Sequence, residues 1–193
     1  MASFQIRKYL LIVGWLLFIQ SCSTFDDESK VTGKSVLIST ESGIASGRES
    51  KVDGGTILEW FNIPYAEPPV GDLRWRAPRK ILKPNVRLPE RLKTACVQEA
   101  SPYGGVPGEG IVGTEDCLYL DIRAPKRAKK AAIPVMVWIH GGGNVIGSKD
   151  WYDFSRLVAR ENVIVVTINY RLGPLGWFTH PAIQGAQQGL DAS

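Results

Sequence analysis

An α/β fold, with an antiparallel β meander at the N-terminus leading into a central, mostly parallel sheet, is what this sequence predicts. Three observations carry it. Two continuous apolar, β-branched runs, residues 135–139 and 163–168, have the length and composition of fully buried strands. Between them Phe154, Leu157 and Val158 fall at helical spacing within residues 152–160, so strand, helix and strand make a right-handed βαβ unit with a parallel pair. Upstream, residues 35–39, 43–47 and 56–61 read as short strands, the last two joined across Gly54-Gly55 in a hairpin-like arrangement.

The first residues stand apart from that domain. Arg7 and Lys8 precede an apolar run over residues 9–19, and Gln20-Ser21-Cys22-Ser23 follow. A basic segment before an apolar core too short to span a bilayer comfortably is the pattern of a secretory signal; the alternative is an uncleaved membrane anchor. Ile19-Gln20-Ser21-Cys22 also resembles a bacterial lipobox, with Cys22 lipidated and made the new N-terminus, although Gln20 replaces the small or apolar residue usual there. Residues 1–22 are expected to be a signal peptide, of lipoprotein type if Cys22 is modified. Residues 23–34, with the acidic Asp26-Asp27-Glu28, are expected to be a solvated tether. Either way residues 35–193 are extracytoplasmic, and lipidated Cys22 would attach them to a membrane.

Composition suits a folded domain, since 44% hydrophobic and 22% charged residues exclude wholesale disorder. Twenty glycines and 12 prolines imply many turns and long loops. The formal charge of +4 includes Arg7 and Lys8 and is no nucleic-acid signal. The cationic run 126–130 has no interleaved aromatic residue and reads as a hairpin turn. Pro64, Pro68, Pro69 and Pro78 fix φ and remove donors across residues 62–78, so that stretch is neither helix nor central strand. It is expected to be an ordered surface segment pinned by Tyr65 and Trp75 packing on the core. Residues 80–94 are basic, proline-broken and read as a solvated face. Residues 118–124 alternate as a half-buried strand does. Asp150 or Asp153 is positioned to cap the helix that follows. With Cys22 spent on lipid or lost with the leader, Cys96 and Cys117 remain as an even pair in an oxidising compartment. A disulfide between them is expected, two buried thiols being the alternative.

The chemistry centres on Ile133-Pro-Val-Met-Val-Trp-Ile-His-Gly-Gly-Gly-Asn-Val-Ile-Gly147. A glycine run at the end of a buried strand lets the backbone turn where side chains would block it, and leaves N–H groups unpaired. Such groups aimed into one space bind negative charge, either a phosphate or the oxyanion of acyl transfer. Gly141, Gly143 and Gly147 have a spacing like that of a dinucleotide-binding turn, and Arg171 would suit a 2′-phosphate. Against this, the helix begins near Trp151, too late for its N-terminus to face a pyrophosphate. An extracytoplasmic chain also has little access to nicotinamide cofactors. A purely structural glycine turn is the third reading.

The surrounding text decides between them by resemblance. Asn62-Ile-Pro-Tyr-Ala-Glu-Pro-Pro-Val-Gly-Asp-Leu-Arg-Trp-Arg76, Glu115-Asp-Cys-Leu-Tyr-Leu120, Pro134-Val-Met-Val-Trp-Ile-His-Gly-Gly-Gly143 and Val165-Val-Thr-Ile-Asn-Tyr-Arg-Leu-Gly-Pro-Leu-Gly-Trp-Phe178 stand in this order. Together they resemble the type-B carboxylesterase/lipase family, which includes the cholinesterases. The resemblance runs from about residue 31 onward and implies an α/β-hydrolase fold and serine-esterase chemistry on a small-molecule ester. Neither a cofactor nor a metal site is expected, and no nucleic-acid partner. It implies that Gly142 and Gly143 point their N–H groups into the oxyanion hole, with Gly141 completing the turn. It pairs Cys96 with Cys117 and Arg74 with Glu115, the latter as a buried structural ion pair. His140 matches the residue before the oxyanion glycines and is not a triad member; His180 reads as a loop residue.

The departures matter equally. Asn144 replaces the usual aromatic residue, which opens or polarises the acyl side of the pocket, and Thr114 replaces the usual serine. The tryptophan expected after Lys80 is missing. No Gly-x-Ser-x-Gly occurs, and Gly43-Ile-Ala-Ser-Gly47 has the wrong spacing. In the family the nucleophile elbow follows the Asn-Tyr-Arg-Leu-Gly block. The chain is therefore expected to be an N-terminal portion of an incomplete α/β-hydrolase fold, truncated before the elbow, inactive alone and exposing apolar surface. A non-catalytic esterase-like binding module is the alternative.

Overall fold

A computed structural model describes residues 35–89, 94–126 and 132–181. The signal, Cys22 lipidation and tether expected within residues 1–34 lie outside these residues, as do residues 127–131 of the cationic run and its flank. All the described residues belong to one compact unit, Gly33–Ser193.

The meander forms as the alternation predicts, with longer strands. β1 (Val36–Thr40), β2 (Gly43–Val52) and β3 (Gly55–Pro64) run antiparallel in sequence order. Proline does not end β3 where its density suggested, because the strand continues over a bulge between Trp60 and Ile63 and pairs Pro64 with Tyr119. Asn62 takes a positive φ of 55° there, a conformation asparagine tolerates better than most residues. Its N–H leaves the ladder and donates to the Asp121 carboxylate at 2.8 Å. Tyr65 pins the following segment, its hydroxyl donating to the Asn169 carbonyl at 2.7 Å. Burial pushes that phenol up to about 12, against the nearby Arg171 charge, so it stays a donor at ordinary pH. Trp75 pins differently from expectation. It is 38% exposed, donates to the Pro174 carbonyl and lies tilted against Phe178 with ring centroids 6.3 Å apart, so it docks on a surface helix and not on the core.

Two short strands, β4 (Gln98–Ser101) and β5 (Val106–Val112), form a separate hairpin. The Cys96–Cys117 disulfide closes it, with Cα atoms 5.0 Å apart. Both cysteines are buried with Ala66, Leu118 and Leu172. Replacing both by serine is expected to remove roughly 3 kcal/mol by freeing the unfolded chain from the cross-link, read as a lower urea midpoint with the transition still cooperative.

β6 (Tyr119–Pro125), β7 (Val135–Ile139), helix α1 (Ser155–Glu161), β8 (Ile164–Ile168) and helix α2 (Gly173–Trp177) complete the described order. The main sheet is ordered β1-β2-β3-β6-β8-β7. β7 and β8 are parallel neighbours flanking α1, as the βαβ pattern requires. Every other pairing in that sheet is antiparallel, so the described sheet is mixed and not mostly parallel. Among the described residues only one crossover helix lies between neighbouring strands, and a meander cannot supply parallel pairs. β8 also separates β6 from β7, so these two strands are not hairpin partners.

The larger correction concerns β7. Val135, Met136, Val137 and Ile139 are 50% to 63% exposed, where a continuous apolar run predicted full burial. β7 is the edge strand among the described residues, and α1 packs over β2, β3 and β6 instead. Apolar composition records the environment a strand is built for, which differs here from the one it has. Trp138 alone is covered, by Tyr152 and Phe154. Neither Asp150 nor Asp153 is the cap of α1: that position is Phe154, with no side-chain cap bond, and Asp153 just before it accepts from the Ser155 N–H at 2.9 Å.

Candidate active site

The glycine turn follows β7 directly. Gly142 has φ 111° and Gly143 φ 63°, and among the described residues neither N–H has an acceptor. The Gly142 carbonyl instead takes two bonds, from Val145 N–H at 3.1 Å and Ile146 N–H at 3.2 Å. A Cβ on Gly142 would lie 1.9 Å from the Ile146 carbonyl oxygen, so no other residue fits that turn unmoved. Asn144 also has a positive φ, 61°, and its carbonyl accepts from Gly173 N–H at 2.7 Å, tying the turn to α2. The asparagine that replaces an aromatic residue thus has a backbone role as well as an exposed side chain.

His140 explains part of this geometry. Its Nδ1 lies 2.9 Å from the Gly141 carbonyl, which can only accept, so Nδ1 carries the proton. The carbonyl of Gly141 and the N–H of Gly142 belong to one trans peptide and point opposite ways. Holding the first therefore aims the second. Burial pushes the imidazole below its ordinary range and so favours the neutral ring, with the Gly141 bond partly opposing it. The ring stacks on Tyr170 at 4.4 Å, and the Tyr170 hydroxyl donates to the His140 carbonyl at 2.7 Å. His140 is thus a buried support of the turn. His180 is exposed and stacks on Phe178, away from it.

A cavity of about 130 Å³ opens beside the turn, lined by His140, Gly141, Gly142, Tyr103, Trp151 and Tyr152 among others. Unpaired N–H groups next to an aromatic-walled space can hold a compact anion or a developing oxyanion. The same turn is poorly made for a pyrophosphate. α1 starts only at Ser155, so its N-terminus is remote in sequence from the glycines, and Arg171 lines a different crevice with Arg74 and Glu115.

Arg74 and Glu115 meet as expected in a two-pronged pair, Nε and Nη2 at 2.6 Å and 2.7 Å from the carboxylate. They are not buried: the side chains are 38% and 25% exposed. The hydrogen bond from Arg74, opposed by some desolvation, holds the Glu115 carboxyl below the ordinary carboxylate range. Thr114 forms an isolated bridge with Cys96 beside the disulfide.

The profile of the carboxylesterase family matches residues 34–187. The chain belongs to the carboxylesterase family. Membership implies the α/β-hydrolase fold, of which the mixed sheet with its βαβ unit is a part. The chain is 41% identical over 147 residues to fumonisin B1 esterase of Sphingopyxis macrogoltabida, covering 75% of this chain and 26% of that protein. It is 35% identical over 176 residues to the cholinesterase of Mus musculus, covering 86% and 28% respectively. It is 40% identical over 150 residues to para-nitrobenzyl esterase of Bacillus subtilis (strain 168), covering 69% and 28%. The chain therefore spans between a quarter and a third of the length of the carboxylesterases it matches.

Two groups of this carboxylesterase-family site had no sequence signal. Lys149, two residues past the turn, is fully buried, with Nζ 2.8 Å from Asp121 on β6 and 2.9 Å from Asp150. Its N–H donates to Asn169 Oδ1 at 2.8 Å. Burial pushes the Asp121 carboxyl up, while the Lys149 ammonium and the Asn62 N–H oppose that. Gln98 clamps Gly147 through its side-chain amide. No local pattern announces either, because both act across the fold. Among the described residues no helix is long and apolar enough to cross a membrane.

Proposed function

We propose that this chain is the N-terminal portion of an extracytoplasmic carboxylic ester hydrolase, a serine esterase acting on small-molecule esters through an acyl-enzyme. The observation that carries this reading is the acceptor-free N–H of Gly142 at an aromatic-walled cavity, followed in the same turn by the acceptor-free N–H of Gly143, in a chain of the carboxylesterase family. In the complete enzyme a serine attacks the ester carbonyl, histidine held by an acid shuttles the proton, and Gly142 and Gly143 stabilise the tetrahedral oxyanion. Gly141 supports that turn. The sequence contains no Gly-x-Ser-x-Gly, so nucleophile, base and acid belong to the remainder of a longer protein and this portion alone is inactive. The Cys96–Cys117 disulfide supports an oxidising compartment and therefore the signal over residues 1–22, with lipidation at Cys22 attaching the enzyme to a membrane.

The test is direct. Protein expressed from the full coding region should cleave short-chain p-nitrophenyl esters, and residues 23–193 alone should not. A full-length protein that carries an intact nucleophile elbow and cleaves none of them rules the esterase reading out. A coding region in which that serine is substituted instead supports the second reading, an esterase-like binding module.

A further inference from the structure

We infer that Gln98 is a positioning residue for the oxyanion turn, an inference that rests on the esterase reading above. Gln98 opens β4, two residues after Cys96, and is 4% exposed. Its amide makes three bonds. Oε1 accepts from Gly147 N–H at 2.8 Å, and Nε2 donates to the Gly147 carbonyl at 2.9 Å and the Cys96 carbonyl at 3.0 Å. Both amide hydrogens are used, and rotating the amide would set an NH2 against the Gly147 N–H. The orientation is therefore unique.

The bonds matter because of the peptide they hold. Gly147 N–H and the Ile146 carbonyl belong to one planar unit, so fixing the first fixes the second. That carbonyl oxygen is the atom lying 1.9 Å from where a Gly142 Cβ would be, and Ile146 N–H bonds the Gly142 carbonyl at 3.2 Å. Gly142 therefore rests on a peptide whose tilt Gln98 sets. On the far side, a Cβ at Gly147 would lie 2.2 Å from His140 Nδ1, so Gly147 is wedged between the Gln98 amide and the imidazole that aims Gly142 N–H. The disulfide fixes the start of β4 from which Gln98 reaches across. Gln98 touches no reacting atom. It acts through Gly147 on the donor that does.

Gln98→Glu in the full-length enzyme tests this, because the substitution is isosteric and its hydrogen-bonding switches with pH. As a carboxylate the new side chain offers no donor and sets negative charge against the Gly147 carbonyl. Once protonated it regains an O–H donor while still accepting from Gly147 N–H. Burial raises a carboxyl pKa, so the switch falls above the ordinary glutamate range. The expected result is a kcat about 10- to 100-fold below wild type at pH 8, from a displaced donor, with KM little changed. The ratio of variant to wild-type kcat should rise as pH falls toward the enzyme's acid limit. Gln98→Leu adds no charge, so it separates this switch from any effect of the new carboxylate on the titration of His140 or the catalytic base. Gln98→Leu should be slow at every pH, and if it does not fold the glutamate variant still reports on its own. A kcat ratio near one throughout, a loss confined to KM, or a loss that does not vary with pH would each overturn the inference. A wild-type protein without esterase activity overturns the esterase reading and this one with it, and is recognised before any substitution is made.

Discussion

Replacing Lys149 by methionine is expected to remove roughly 3–5 kcal/mol of stability, the cost of leaving a buried charge without its partner. Lys149 and Asp121 are both fully buried, and the ammonium bridges Asp121 and Asp150 at 2.8 Å and 2.9 Å. Methionine fills the space of the stem and leaves two carboxylates facing each other across it. The pair also joins separate parts of the chain, since Asp121 holds the Asn62 N–H at the β3 bulge and Lys149 N–H is held by Asn169 after β8. Adding Asp121→Asn, which keeps an acceptor for Asn62 and removes the orphaned charge, should restore most of the loss. Urea unfolding of the wild type, both single variants and the double variant closes this cycle. A Lys149→Met protein within about 0.5 kcal/mol of wild type, the range of ordinary surface changes, would show that the pair is neutral.

Gly142→Ala in the full-length enzyme is expected to lower kcat by about 10²- to 10³-fold, the effect of losing one oxyanion donor. Alanine keeps the N–H but not its place. The new methyl would meet the Ile146 carbonyl at 1.9 Å in a backbone with φ 111°, so the peptide must move. Gly141→Ala is the matched control, because nothing lies within 4 Å of a Cβ there and φ is not in the left-handed region. It should lose far less kcat than Gly142→Ala, any effect of a methyl in the cavity that Gly141 lines showing in KM. Equal losses in the two variants would mean that the turn tolerates no side chain anywhere, and would detach the effect from Gly142.

The difference between these two glycines marks how far sequence reading reaches. The strand–glycine–helix–strand pattern located the turn, and resemblance singled out Gly142 and Gly143, but adjacent glycines look alike until their neighbours are in place. The same holds for the strands. The 135–139 run announced its identity as a strand through apolar composition, yet its exposure depends on what packs against it. The Arg74–Glu115 pair was legible as a pair, whereas its exposure was not.

By itself the sequence determined the N-terminal meander, the strands on either side of α1, the Cys96–Cys117 pairing and the position of the glycine turn. Periodicity and turn chemistry are local, and a strand or glycine turn is written within a few residues. The tertiary structure alone decided the mixed parallel and antiparallel pairing, the 28-residue reach of Lys149 to Asp121 and the 49-residue reach of Gln98 to Gly147. A buried polar group takes as its partner whatever donor or acceptor the fold brings within about 3 Å, and no local pattern names one so far along the chain.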